Sequence, residues 1–287
     1  MTHEQPAIDT FFAKNIVRQA WRLVSRFFSD VADLVCPPNC LACGEPLNRN
    51  DVTHFYCNEC CRQITVETPE YCPLCGAIGR LMPNITQHPN ARGAACWECS
   101  QEEYLFSQVV VLGHYAELLR LLVLDMKRDR DGMLAGNMAR LFLKVRENEL
   151  RNIDPEVVVP VPMHYVRRFV RGTNGPVFFA KEIAHALKIP IALRAVRRTR
   201  YTKPQFHLKP RQRFRNVRGA FAFVGRKKLV AGKRVLIVDD IMTTGATCNE
   251  IARVLRAAGA ASVSVAIFAR AMGHHNPLDP KEKPIDA

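Results

Sequence analysis

The stretch Val235-Leu236-Ile237-Val238-Asp239-Asp240-Ile241-Met242-Thr243-Thr244-Gly245-Ala246-Thr247 decides how the carboxyl-terminal half of this chain is read. Its four leading apolar residues predict a buried strand of an open parallel sheet. That strand runs into two adjacent carboxylates, Asp239 and Asp240, then a short hydroxyl-rich loop, then a helix over 247–258. Open parallel sheets bind ligands at the carboxyl ends of their strands. A helix N-terminus adds free N–H groups and the positive end of a dipole, which suits an anion. Thr243, Thr244 and Thr247 supply hydroxyl donors, and Gly245 lets the backbone approach closely. Two carboxylates beside a naked anion would be repulsive. Beside a sugar phosphate they accept hydrogen bonds from the sugar hydroxyls while the loop holds the phosphate. No Gly-Lys-Ser/Thr follows, so this is not a P-loop.

The flanking sequence fits the same architecture. Strands are expected over 109–115, 157–161, 190–196, 220–224, 235–238 and 262–269. Helices are expected over 116–148, interrupted near Arg130-Asp131-Gly132, and over 176–187. Strands alternating with helices give an α/β fold with a mainly parallel sheet and helices on both faces. Residues 11–35 carry apolar side chains at helical spacing with basic residues between them, predicting an amphipathic helix that packs on the protein or lies on a membrane surface. Residues 272–287 hold three prolines and several charges without periodicity and are expected to be disordered. Of the 287 residues, 48% are hydrophobic, enough for a core. Apolar runs nevertheless stay shorter than the ~18 residues of a membrane span.

The amino-terminal part is built on cysteine. Ten of the eleven cysteines lie between Cys36 and Cys99, and eight form C-x-x-C pairs: Cys40/Cys43, Cys57/Cys60, Cys72/Cys75 and Cys96/Cys99. The N-terminus does not read as a secretory signal, so the cysteines are expected in a reducing cytosol, where such pairs ligate metal. Two knuckles complete a tetrahedral four-thiolate zinc site, structural because no position is left for water. CLACG at 40–44 repeats as CPLCG at 72–76, and CNEC at 57–60 as CWEC at 96–99. The repeat predicts two successive zinc-ribbon-like sites, 40/43/57/60 and 72/75/96/99. Interleaved pairing is also compatible with the spacing. Cys36 and Cys61 are in excess, and either can replace a neighbour as ligand. Cys248 reads as a small apolar helix residue. The expected organisation is a helix over 1–35, a double zinc ribbon over 36–104, the α/β domain over 105–271 and a tail over 272–287.

The segment from Val238 to Thr247 resembles the phosphoribosyl-pyrophosphate (PRPP) motif of type I phosphoribosyltransferases. Other stretches extend the likeness: CLACGEPL, CPLCG, CWEC, Val159-Pro160-Val161-Pro162-Met163-His164, Arg171-Gly172-Thr173-Asn174 and Arg215-Asn216-Val217-Arg218-Gly219-Ala220-Phe221. With these, the chain resembles the ComF family, also called the GntX-like or competence protein F family, over roughly residues 34–271. The resemblance implies a type I phosphoribosyltransferase domain behind zinc knuckles, linked to DNA uptake in natural transformation, with PRPP or another phosphoribosyl compound bound together with Mg2+. It implies that Asp239 and Asp240 hold the ribose hydroxyls and that Thr243, Thr244, Gly245, Ala246 and Thr247 hold the 5′-phosphate. It places His164, Arg167, Arg168 and Arg171 at the pyrophosphate loop and Lys127 at a family lysine. Arg128, Thr173 and Gly175 depart from the family pattern.

Charge points the same way. The net charge is +14, divided as −4 over 1–105 and +18 over 106–287. Residues 194–218 hold ten Lys and Arg and no acid, among them Arg211, Arg213 and Arg215. The stretch is expected either to close as a flap over the leaving pyrophosphate or to grip single-stranded DNA through phosphates, with Tyr201, Phe206 and Phe214 stacking on bases. DNA-uptake proteins are further expected partners. The chain is expected in the cytoplasm, with the inner face of the membrane as a possible station.

Overall fold

The computed structural model describes residues 38–47, 53, 55–66, 71–78, 96, 103–129, 131–163, 175–202, 208 and 210–271. The expected helix over 11–35, Cys36, Cys99, the expected pyrophosphate-loop residues His164, Arg167, Arg168 and Arg171, and the 272–287 tail lie outside them. The chain divides after Asn58 into two compact units.

In the first unit, residues 38–47 form a knuckle. Asn39 and Pro46 make an antiparallel bridge, Cys40 N–H donates to Glu45 O at 2.7 Å, and Gly44 N–H returns to Cys40 O at 2.8 Å. The second unit repeats this pattern with Tyr71 and Ile78, Cys72 N–H to Ala77 O at 2.7 Å, and Gly76 N–H to Cys72 O at 2.8 Å. The sequence repeat is therefore a repeat of structure. Helix α1 (Asn58–Ile64) carries the Cys60 position.

The second unit is built on strands β1 (Val109–His114), β2 (Val157–Pro160), β5 (Arg234–Met242) and β6 (Ser262–Arg270), all parallel in the order β1-β6-β5-β2. Helices α2 (Glu117–Met126), α3 (Met133–Ile153), α4 (Gly175–Leu187) and α6 (Ala246–Ala257) accompany them. The strands are near-continuous apolar runs because both faces are covered. Val109, Val111, Val157, Val159, Val235, Ile237, Val263 and Val265 join one core with Ile251 and Leu255 of α6. The residues between them point the other way. There Phe268 stacks on Phe179 of α4 at 3.8 Å, and Phe142 of α3 meets Phe179 edge-on at 4.8 Å. This is the expected α/β architecture, a parallel sheet with helices on both faces.

Three elements differ from expectation. The strand expected over 190–196 contracts to one parallel bridge between Ile191 and Val158. Pro190 has no N–H for a ladder, and Ala195 O is taken by Val224 and Gly225 N–H at 2.8 and 3.2 Å. The chain instead forms β3 (Val196–Arg198), antiparallel to β4 (Phe221–Phe223) in a separate two-stranded sheet. Second, β5 continues past Val238 to Met242, since β6 runs alongside and pairs Ile241 with Ala269 and Met242 with Arg270. Asp239 and Asp240 thus lie within the strand. Third, the basic stretch contains helix α5 (Pro210–Val217), whose Phe214 and Val217, three apart, both turn inward. Among the described residues no helix is long and apolar enough to cross a membrane.

Candidate functional site

Because the four strands are parallel, their carboxyl ends share one edge of the sheet. Asp239 to Met242, His114, Arg270 and the 160–162 turn all arrive there. Alternation along β5 sends Asp239 and Asp240 to opposite faces. Asp239 is buried, facing α6, and its charge together with that of Asp240 adds to burial in raising the Cys248 thiol. Asp240 is half-buried, with Lys127 Nζ, just past α2, 3.9 Å from its Oδ2. The Asp239 carboxyl is held well above the usual carboxylate range, first by burial and then by the charge of Asp240. The Asp240 N–H, donating to Asp239 Oδ1 at 2.9 Å, and Lys127 oppose this only in part. Hydroxyl donors or a cation brought beside the Asp239 carboxyl would favour its charged form.

The loop after Met242 is supported from below. Gly245, at φ +75°, is the N-cap of α6, and its carbonyl accepts Asn249 N–H at 2.8 Å. Tyr104 donates its hydroxyl to Thr244 O at 3.0 Å and stacks on Phe106 at 4.7 Å. Thr243, Thr244 and Thr247 are half-buried, and Gly245 and Ala246 are buried. Arg270, buried at the end of β6, donates to the carbonyls of Met242 and Thr243. Its charge, second to burial, lowers the pKa of His114 at the same edge. Neither Tyr104 nor Arg270 is a motif residue. The only sequence signal for Arg270 is a cation closing an apolar strand, and Tyr104 offers none.

The cysteine sulfurs gather as two successive groups. Those of Cys40, Cys43, Cys57 and Cys60 lie within 4.8 Å of one another, as do those of Cys72, Cys75 and Cys96. A tetrahedral zinc–thiolate site with bonds of about 2.3 Å puts sulfurs about 3.8 Å apart. Cys43 and Cys57 stand at 3.9 Å and Cys75 and Cys96 at 3.4 Å, so the donor sets fit zinc. Burial pushes the Cys40 thiol up, but N–H groups of Cys57, Cys43 and Ala42 bring it down to about 7, within reach of the thiolate form a metal needs. Cys61, the spare neighbour, is buried outside these groups.

In the basic stretch the arginines divide. Arg213 is 5% exposed and donates from Nε to Leu208 O at 2.9 Å. Burial, then the charge of Arg270, lowers its pKa. Arg200 donates to Asn216 O and Arg218 O at 2.9 and 2.7 Å, closing the end of α5. Glu250 of α6 receives Gly219 N–H at 2.8 Å. Arg194, Arg197, Arg215 and Arg218 are exposed. Phe214 of α5 reaches the Tyr104 ring at 6.4 Å, so this helix packs beside the loop's support. His164, Arg167, Arg168 and Arg171 lie outside the described residues, and the Arg211 side chain is not described.

The family model described as "Phosphoribosyl transferase domain" matches residues 173–286, which include the Asp239–Asp240 pair and the loop. "Competence protein F" of Haemophilus influenzae is 31% identical over 220 residues, 75% of this chain and 90% of that protein. "DNA utilization protein YhgH" of Salmonella typhimurium is 32% identical over 244 residues, covering 83% of this chain and 100% of that protein. The Escherichia coli protein of the same name is 31% identical over 243 residues, 83% of this chain and 100% of its own length. Paired cysteine knuckles, a parallel sheet bearing Asp239-Asp240 and the Thr243–Thr247 loop, and near full-length likeness to these relatives agree: the chain belongs to the competence protein F family and carries a phosphoribosyltransferase domain.

Proposed function

We propose that this chain binds PRPP with Mg2+ at the carboxyl edge of its sheet and serves the uptake or handling of DNA. One observation carries the ligand reading: a carboxylate pair on β5 leads directly into a threonine-rich loop capping α6. Asp239 and Asp240 accept hydrogen bonds from the two ribose hydroxyls. The hydroxyls of Thr243, Thr244 and Thr247 and the amides from Gly245 onward hold the 5′-phosphate. Mg2+, a hard cation, would come with the diphosphate and help neutralise its charge. His164, Arg168 and Arg171 are assigned to the pyrophosphate end, and so is Lys127, whose Nζ lies 3.9 Å from Asp240 Oδ2. In a transfer, the bond from the anomeric carbon to pyrophosphate breaks as the acceptor's bond forms. Cations neutralise the leaving group, and the acceptor supplies its own electron pair. Zinc ions at 40/43/57/60 and 72/75/96/99 would hold the knuckles, and such reduced cysteines call for a reducing cytoplasm.

The DNA part of the reading rests on the relatives' names and on the basic stretch. A second reading, a nucleic-acid-binding module that retains the fold, is favoured by the exposure of Arg194, Arg197, Arg215 and Arg218 and of Tyr201, itself 61% exposed. One experiment separates them. Zinc-loaded protein, its metal content first verified at two per chain, is titrated calorimetrically with PRPP and Mg2+. Pyrophosphate release is then followed with candidate acceptors. Saturable binding that is lost in the Asp239→Ala/Asp240→Ala variant supports the site. Release with an acceptor makes it an enzyme. Absence of both, with salt-sensitive binding of single-stranded DNA intact, leaves the second reading standing.

A further inference from the structure

The second cysteine knuckle is hydrogen-bonded into the sheet at two points. Pro73 O accepts Val109 N–H at 2.7 Å, where β1 begins, and Cys75 O accepts Arg270 Nε–H at 2.9 Å, where β6 ends. Gly76 makes the fit possible. A Cβ there would stand 2.8 Å from Val111 Cγ2 and 3.5 Å from Arg270 Cδ, and its φ of +72° is itself a glycine conformation. Arg270 heads the fully buried side chains by size, at 1% exposure. While Nε holds the knuckle, Nη1 donates to the carbonyls of Met242, Thr243 and Ala271. One rigid guanidinium therefore spans a carbonyl inside the metal knuckle and the carbonyls that open the 243–247 loop. Its planar fork fixes the spacing of its partners in a way that an ammonium on a flexible stem cannot. It also sets a buried positive charge beneath that loop.

We propose that Arg270 is a positioning residue that couples metal occupancy of the Cys72–Cys75 knuckle to the geometry and anion affinity of the 243–247 loop. Metal fixes the two sulfurs, the sulfurs fix the Cys75 carbonyl, and the carbonyl fixes the guanidinium that holds Thr243. The path is two hydrogen bonds long, buried at Cys75 and part-buried at Thr243. By linkage the coupling runs both ways, so a ligand in the loop alters the metal site in return. This last clause rests on the PRPP reading, and the first does not.

The test has a ligand-free arm and a ligand arm, both on the full chain. In the first, amide hydrogen exchange over 243–249 is compared between zinc-loaded and chelator-stripped wild type and Arg270→Lys. Stripping speeds exchange of the wild-type loop on the order of tenfold, the scale of one lost charge-assisted hydrogen bond. Zinc-loaded Arg270→Lys already shows that faster exchange, and stripping adds little to it. Cys43→Ser, which disables only the first metal site, leaves the loop unchanged. Amides of β5 report whether stripping has unfolded the sheet as a whole, in which case the second arm decides. There, the visible thiolate–cobalt bands of cobalt-substituted protein shift on titration with PRPP and Mg2+ in wild type and stay still in Arg270→Lys. Additive effects of stripping and Arg270→Lys, or a cobalt shift equal in both proteins, overturn the coupling. The expected exchange pattern without any cobalt shift in wild type upholds the coupling and counts against PRPP at the loop.

Discussion

Replacing Gly245 by alanine should damage the loop by an amount that can be divided into two causes. Gly245 sits at φ +75°, where an L side chain costs about 1–2 kcal/mol. Its added Cβ would also lie 3.1 Å from Tyr104 Cε1. That ring has little room to retreat, since it stacks on Phe106 at 4.7 Å and its hydroxyl holds Thr244 O at 3.0 Å. Relief of the contact therefore weakens the Thr244 hydrogen bond, adding about 1 kcal/mol. The expected total is about 2–3 kcal/mol, against about 1–2 for Gly232→Ala, where φ is +71° and nothing lies within 4 Å of the new Cβ. Urea unfolding of the two variants measures the difference. Calorimetry with PRPP and Mg2+ should show affinity reduced on the order of tenfold or more in Gly245→Ala and unchanged in Gly232→Ala. Equal destabilisation of the two variants would falsify the claim that Tyr104 props the loop.

Asp239→Asn should stabilise the protein while weakening the ligand. Burial and the charge of Asp240 raise the Asp239 pKa, so its protonated form is favoured by folding. The stability it contributes is fully present below the unfolded carboxylate pKa of about 3.9 and is lost as pH rises through the folded value. Denaturant curves should show Asn exceeding Asp on the order of 1 kcal/mol at pH 8, with the gap closing near pH 4. A gap that does not change with pH counts against the assignment. Arg213→Ala and Arg215→Ala should part company as well. Loss of buried Arg213 leaves Leu208 O without its donor and costs on the order of 1–3 kcal/mol of stability, seen as a lowered Tm. Loss of exposed Arg215 leaves Tm in place, and if single-stranded DNA binds there, it lowers the salt slope of binding by about 1. A slope reduced by Arg213→Ala with Tm intact would contradict the burial.

Much of this was legible in the sequence because local chemistry dictated it. Four apolar residues ending in Asp239-Asp240 and a hydroxyl-rich loop read as a strand covered on both faces, and the repeated Cys-x-x-Cys-Gly fixes two knuckles of matching hydrogen bonding. The parts that could not be read depend on partners distant in sequence. β5 outruns its apolar segment because β6 extends beside it to Arg270. The 190–196 segment leaves the main sheet because Val224 and Gly225 claim Ala195 O. Tyr104 and Arg270 act on a loop 140 and 27 residues away through single hydrogen bonds, and no spacing rule records such a contact.

Charge shows the same limit most sharply. A net +14 concentrated behind residue 105 suggests a surface waiting for phosphate. Yet Arg146, Arg213 and Arg270 are 2%, 5% and 1% exposed, and each donates to backbone carbonyls. Arginine can do this because its planar, weakly hydrated fork satisfies several carbonyls at once, so composition alone cannot separate a cation that meets solvent from one that braces the chain. Arg146 shows how far this goes. It reaches Val111 O at 2.8 Å, bonds Val66 O and lies over the Tyr71 ring at 5.3 Å, tying the segment after α1 to β1. The phosphate-directed part of the charge is therefore smaller than the count, and it divides by depth. Exposed Arg194, Arg197, Arg215 and Arg218 can reach a long polyanion, whereas buried Arg270 acts on the 243–247 loop through the carbonyls it holds and through a charge kept from solvent. Salt should thus weaken a polyanion contact steeply and a loop-bound phosphate only weakly, because buried charges are poorly screened.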